Sequence, residues 1–358
     1  MNERWFTRAV WTAAATAMTT TARPAAQRVL AAAALAACVA ACGGAQEPQR
    51  DPLLADPPEG SDAAASKGAS STALDRGIAY IKNEKYEEAK QHLLQAIEHE
   101  PGSAEAHYYL GLANEKTNDR AGAEASYKKA LASDPKLEAA ALNLAALYLD
   151  EPPRPDDAIA VLSKAIEQAP DRAALHQNLA YAYGLKGDVA NASKHYEAAL
   201  KAEDTAATRF AYGAMLFEAK VLDRAAAELK KALAATGDDV ATIATIGRML
   251  GPAKAYADCV AAFDRAIKLK PEAEFHVRRG TCRHELGDEP GARADYQAAI
   301  KVDPRFAAAH YYLGLSFLAE RKPQSAIAAL TEAGKHGGDT EIGKRARAKV
   351  KELSARLK

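Results

Sequence analysis

Four histidines, His107, His176, His276 and His310, lie 69, 100 and 34 residues apart, close to multiples of one number. Imidazoles in register could ligate a metal or move a proton. Equivalent positions in a helical repeat are separated by packed helices at roughly 8–10 Å per contact. Zinc needs its ligands about 2 Å from one point. The register therefore predicts rings that pack against the preceding helix, and no metal or other cofactor. The chain has no Gly-rich phosphate loop, nucleophile elbow, paired-Cys metal motif or HExxH. Its 47 basic and 47 acidic residues balance, with no basic stripe interleaved with aromatics to suit nucleic acid. No enzyme and no small-molecule substrate are expected.

The elements that hold these residues repeat. Gly77, Gly111, Ala145, Ala180, Gly213, Gly247, Gly280 and Gly314 occupy one small-residue slot at gaps of 33 to 35. Taking that slot as position 8, position 20 is again small, from Ala89 through Cys259 to Ala326, and so is position 27, from Ala96 to Ala333. Larger apolar side chains such as Tyr127 fall at position 24. Five repeats close on Pro101, Pro135, Pro170, Pro271 and Pro304. Spacings of three and four put the apolar positions on one stripe of each of two helices. Polar turns such as Lys186-Gly187-Asp188 and Leu286-Gly287-Asp288 join them, with Gly for backbone freedom and Asp to cap the next helix. Gly251-Pro252 predicts that helix A of repeat six stops near Leu250, because Pro disfavours helix at the residue before it.

This pattern resembles the tetratricopeptide repeat (TPR) over roughly residues 70–338. The resemblance implies an all-α fold: an α-solenoid of about eight helix hairpins in a right-handed superhelix, followed by a capping helix over 339–358. An array of this kind has a concave face that binds protein partners. Groove positions 2, 5, 6, 9, 12 and 13 of helix A give Tyr108, Leu112, Leu142, Asn143, Gln177, Asn178, Tyr181, Phe210, Phe217 and Tyr311. These predict a peptide or amphipathic helix as ligand, with the two Asn holding its backbone unless local bonds use them. The family's carboxylate clamp places Lys and Arg at positions 2, 5 and 6 of neighbouring repeats. Here those positions are mostly apolar and Arg278 stands alone, so that clamp is not expected.

The first residues are a different material. A 13-residue apolar run, 29–41, follows Arg23 and Arg28 and ends in Val39-Ala40-Ala41-Cys42-Gly43-Gly44. It suits the apolar part of a secretory signal and resembles a bacterial lipobox, with Cys42 as lipid anchor and Cys38 as the alternative. Met18 would make a more ordinary start than Met1. Residues 1–41 read as a lipoprotein signal peptide. Residues 42–69, rich in Gly, Pro, Ser, Ala and acids, read as a disordered tether with a reach on the order of 30 Å. Removing residues 1–41 leaves 43 basic against 46 acidic residues. Gly43, where Asp would signal inner-membrane retention, resembles the export signal to the outer membrane, facing the periplasm. The combination is similar to outer-membrane TPR lipoproteins, including pilotins that help type IV pilus secretins assemble. The other readings are an adaptor of peptidoglycan enzymes, or a cytosolic co-chaperone or regulator if the N-terminus is no signal. Cys259 and Cys282, in two small packing slots, read as small buried side chains, with a disulfide left open.

Overall fold

The computed structural model describes residues 66–150 and 152–357, all in helices and short connections. The expected signal peptide, both anchor cysteines and nearly all of the tether lie outside them. The chain divides into two compact units between residues 204 and 205. The N-terminal unit holds four hairpins: α1 (Ser66–Lys82) with α2 (Tyr86–His99), α3 (Ala104–Lys116) with α4 (Arg120–Ser133), α5 (Glu138–Leu149) with α6 (Pro155–Gln168), and α7 (Ala173–Leu185) with α8 (Val189–Ala202). The C-terminal unit holds α9 (Ala206–Glu218) with α10 (Leu222–Ala235), α11 (Val240–Leu250) with α12 (Tyr256–Leu269), α13 (Ala273–Glu285) with α14 (Glu289–Val302), and α15 (Ala307–Ala319) with α16 (Pro323–Gly337). A last helix, α17 (Glu341–Arg356), packs on α15 and α16. Helix α1 begins at Ser66, inside the stretch read as tether. Once a helix is anchored by packing, adding residues to its N-terminus costs little, because nucleation has already happened.

The small slot explains the period. In six repeats position 8 is Gly, and a Cβ there would collide with the position-24 side chain of the same hairpin. At Gly111 it would sit 2.5 Å from the Tyr127 ring, at Gly280 2.6 Å from Tyr296, and at Gly314 2.6 Å from Leu330. Removing the Cβ lets the two backbones close on a large side chain that is then sealed from water; Tyr127, Leu229 and Leu330 have no exposed surface. Each such side chain contributes about 1.5–3 kcal/mol by burial. The small residues at positions 20 and 27 are sealed as well: Ala89, Ala123, Ala292 and Ala326 at the first, and Ala96, Ala130, Ala299 and Ala333 at the second, are all fully buried.

Turns repeat as well. Seven of the eight hairpins turn through a left-handed residue at position 15: Glu84, Asn118, Gly187, Lys220, Lys254, Gly287 and Arg321, with φ between 58° and 82°. Asp119, Asp188 and Asp288 each accept the N–H three residues on, at 2.9, 3.1 and 2.9 Å, capping the next helix. Helix α11 ends at Leu250, where Gly251-Pro252 places its end. Thr340 accepts the N–H of Gly343 at 3.3 Å and starts α17.

Two features of the C-terminal unit go beyond the repeat. The sequence alone leaves Cys259 and Cys282 as small buried side chains; in the structure their sulfurs are bonded. Position 20 of α12 faces position 10 of α13 where the two helices pack, with Cα atoms 6.3 Å apart, inside the range a disulfide spans. Asp295 on α14 is almost fully buried, which an ionised carboxylate tolerates only when paired. Arg279 grips it through Nε at 3.0 and 3.1 Å and Arg283 adds a bond at 3.0 Å, while Arg279 also reaches Asp264 at 2.5 Å.

Candidate functional site

The histidine register resolves into a structural bond. Nε2 of His107, His176 and His310 donates to the carbonyl of Pro101, Pro170 and Pro304, at 3.0, 2.8 and 2.9 Å. Each ring ties the first turn of helix A to the residue that closed the preceding helix, six positions back. His276 lacks this bond. Its repeat places Pro271 one residue later than the others, and its Nδ1 is buried without a hydrogen bond, 3.8 Å from Asp295. The ring of His176 has a second partner, His195 Nδ1 at 3.0 Å. Since Nε2 of His176 donates to Pro170, its Nδ1 must accept and His195 must donate. Burial, and then the charges of His176 and Lys194, lower the pKa of His195 to about 4. Among the described residues no three His, Cys, Asp or Glu side chains gather as metal ligands.

A cavity of about 560 Å³ opens in the C-terminal unit. Buried Phe263, Val277 and Tyr312, with half-buried Phe306 and Ile342, give it an apolar lining, and the Cys259–Cys282 disulfide forms part of its wall. Gly247 of α11 and Gly251, just past the end of that helix, complete the wall on this side. Charge enters from Arg248, Glu274, Arg278 and Arg305. Glu274 accepts Nε of Arg278 at 2.7 Å and Nε of Arg248 at 3.1 Å. Burial pushes the Glu274 carboxyl up, but the two guanidiniums outweigh it and hold it below the ordinary carboxylate value. So the site combines an apolar chamber with a fixed ionised cluster at one wall.

Eight of the twenty lining residues stand at groove register: positions 9 and 12 of repeat six, 2, 5, 6 and 9 of repeat seven, and 2 and 6 of repeat eight. A search for apolar side chains at those positions passes over Arg248, Glu274, Arg278 and Thr281. The signal that could have found them is the register itself, read without regard to polarity. Arg278 is not isolated; Arg248, one repeat earlier, shares its carboxylate.

The groove residues read from the sequence divide by burial. In the N-terminal unit Tyr108, Leu112, Asn143, Gln177 and Tyr181 are half-buried, while Leu142 and Asn178 are buried. Tyr108 packs on Tyr109 and Tyr127, with ring centroids 5.1 and 6.1 Å apart. Asn143 donates to Tyr127 Oη of the preceding hairpin at 3.3 Å, and Asn178 to the Ala174 carbonyl of its own helix at 2.9 Å. In the C-terminal unit Phe210 and Tyr311 are buried and Phe217 half-buried. Tyr311 meets Tyr312 edge-on, with centroids 5.6 Å apart. That contact sets it directly behind the cavity lining. No helix of the described residues is long and apolar enough to cross a membrane.

Tetratricopeptide repeat models match residues 74–138, 115–173, 173–205 and 255–299, and a TPR repeat model matches 280–319. The type IV pilus assembly protein PilF of Pseudomonas aeruginosa is 30% identical over 130 residues, 36% of this chain and 51% of that protein. The chain thus spans about half the length of this curated relative. A solved structure of Pseudomonas aeruginosa PilF aligns with a TM-score of 0.47 at 20% identity, over 62% of this chain and 99% of that one. PilW, a widely conserved type IV pilus biogenesis factor, aligns at 0.42 and 22%, over 59% and 98%. A TPR protein from Parabacteroides merdae aligns at 0.41 and 15%, over 80% and 99%. Arrays of this repeat serve in general as non-catalytic scaffolds whose faces bind other proteins. Hairpins of one length, a shared small slot and these matches along more than half of the sequence make the chain a tetratricopeptide repeat protein.

Proposed function

We propose that this protein is a lipid-anchored, non-catalytic scaffold on the periplasmic side of a bacterial outer membrane. It holds a segment of an envelope partner while a larger complex assembles. Cys42, or Cys38 in its place, carries the lipid, and residues 42–69 tether the array near the membrane. The observation that carries the binding role is the cavity at the inner register of repeats six to eight, an apolar chamber with charged groups fixed at its wall. Half-buried Tyr108, Leu112, Tyr181 and Phe217 carry apolar character at that register in repeats two, four and five, with Gln177 beside them, while Leu142, Phe210 and Tyr311 are buried behind it. Two facts support the compartment and the partner. A disulfide joins Cys259 to Cys282, and such bonds persist outside the reducing cytosol. The similarity to a protein named for type IV pilus assembly suits a client among the secretin subunits of a pilus machine.

Labelling cells with radioactive palmitate tests the anchor. Wild type is expected to take label and Cys42→Ala to lose it; label lost only in Cys38→Ala moves the anchor to Cys38. A chain that takes no label under any condition removes the lipoprotein reading. Pull-down from envelope extracts tests the client. Secretin subunits are expected, whereas recovery of peptidoglycan hydrolases or synthases replaces the assembly role with the adaptor role.

A further inference from the structure

The cavity in the C-terminal unit is not neutral, and its charge is not fully used. Arg248, Arg278 and Arg305 face the same space. Of the carboxylates lining it, Glu341 is bound to Arg345 at 2.7 Å, and Glu274 serves both Arg248 and Arg278. Arg278 spends only Nε on that contact, and its two terminal nitrogens have no hydrogen-bond partner among the described residues. The exposed side chain of Arg305 has none either. A guanidinium carries five donors in a rigid fork suited to a carboxylate. Closing a purely apolar segment over these groups would strip their water and return nothing, which is costly. A basic segment would add like charge. An acid beside an apolar anchor meets both demands of the site.

We infer that this cavity receives a segment of a protein partner carrying a bulky apolar side chain next to a carboxylate. The apolar side chain lies against Phe263, Val277 and Tyr312, and the carboxylate meets Arg278 and Arg305. The inference rests on the reading of the inner register as a peptide-binding face and names what that face selects. The space available suits one or two large side chains rather than a long helix, so selectivity comes from this pair of groups. The family's clamp draws its cations from positions 2, 5 and 6 of neighbouring repeats. Here the two free forks come from position 6 of repeat seven and from the loop before α15, so the acid and the anchor sit side by side.

Selection of random dodecapeptides displayed on phage against the purified full chain tests this. The selected peptides are expected to pair Asp or Glu with a large apolar residue. A selected peptide is then synthesised with a free or an amidated C-terminus, and its affinity is measured by fluorescence anisotropy. Equal affinity assigns the acid to a side chain, and loss on amidation assigns it to a chain terminus. Arg278→Gln with Arg305→Gln leaves Glu274 paired to Arg248, and is expected to weaken binding by about tenfold or more with the melting temperature unchanged. Ala308→Trp, which fills the cavity without altering charge, is expected to weaken it as much. Peptides without acids, or peptides that bind the double variant as tightly as wild type, overturn this inference and leave the peptide-binding reading standing. Recovery of no peptide overturns both.

Discussion

The two units carry the same repeat but put different chemistry into it. In the N-terminal unit the buried polar side chains are neutral: His107, Asn114, Ser126, His176, Asn178 and Ser193. Asn114 donates to Ser126 across its hairpin at 3.4 Å, and Asn178 donates to the Ala174 carbonyl at 2.9 Å. Its ions stay at the surface, where Glu124 collects Lys128, Arg154 and Tyr148. The C-terminal unit buries a carboxylate, Asp295, under two arginines, adds a disulfide, and leaves an open chamber walled in part by that disulfide. A scaffold defined by small slots and large plugs does not fix what its remaining positions hold. Those positions are where one unit can become an ordinary packed array and the other a site.

The largest test of this contrast is Asp295→Ala. It takes the buried carboxylate from half-buried Arg279 and Arg283, leaving Arg279 only Asp264, and breaking one side of a buried ion cluster costs about 3–5 kcal/mol. The matched change in the other unit, Asn114→Ala, removes a neutral bond worth about 1 kcal/mol. Urea unfolding read by hydrogen exchange in α13–α14 and in α3–α4 compares them. Similar losses at both sites would show that the buried charge is not what distinguishes the units. Next in size is the disulfide. Cys259→Ala with Cys282→Ala is expected to cost about 2–4 kcal/mol through the lost crosslink, and the loss should fall on the C-terminal unit. If reducing agent leaves the melting of the wild type unchanged, the bond is not a stabilising part of the native protein.

What could be read from residues alone follows the same division. The slot residues Gly111, Gly280 and Gly314 announce the fold because a missing Cβ is demanded by a contact within one hairpin, and a local demand leaves a periodic mark. The end of α11 was legible for the same reason, since Pro252 acts on its own backbone. The cavity was not. It is lined from five helices of three hairpins and the start of α17, and its key side chains are charged, so no local apolar pattern marks them. The disulfide needed a distance between α12 and α13 that spacing along the chain does not supply. The histidines fell between: their common register was visible, but the proline carbonyl that gives the register its purpose was not.

Acid separates the units in a third way. His195 titrates near 4 in the folded chain against an ordinary value of 6.5, because burial and then the charges of His176 and Lys194 oppose its protonation. The unfolded chain therefore binds more protons between those values, and stability falls as pH drops through that window. In the C-terminal unit burial and the charge of Arg279 lower His276, but the nearby Asp295 opposes them. Acidification from pH 7 to 5 should thus loosen α7–α8 more than α13–α14, and His195→Phe should flatten the dependence. A variant with the slope of the wild type would show that His195 does not set it.

The smallest effect bears on what the units share. Position 15 turns left-handed in both, yet only Gly187 and Gly287 are glycine. A side chain held at positive φ is opposed by its own Cβ, at about 1–2 kcal/mol for most residues. The same position in glycine is free of that strain but loses more chain entropy on folding. Glu84→Gly in the first hairpin and Arg321→Gly in the eighth should therefore each stabilise by about 0.5–1 kcal/mol, and Gly287→Ala should cost a similar amount. Equal gains at the two ends of the array would mean that the turn is set by the hairpin alone and is blind to the ions, disulfide and cavity around it. A gain at residue 84 with a loss at residue 321 would mean that the Arg321 side chain does something for its unit beyond closing a turn, and the repeat would then be less uniform than its period suggests.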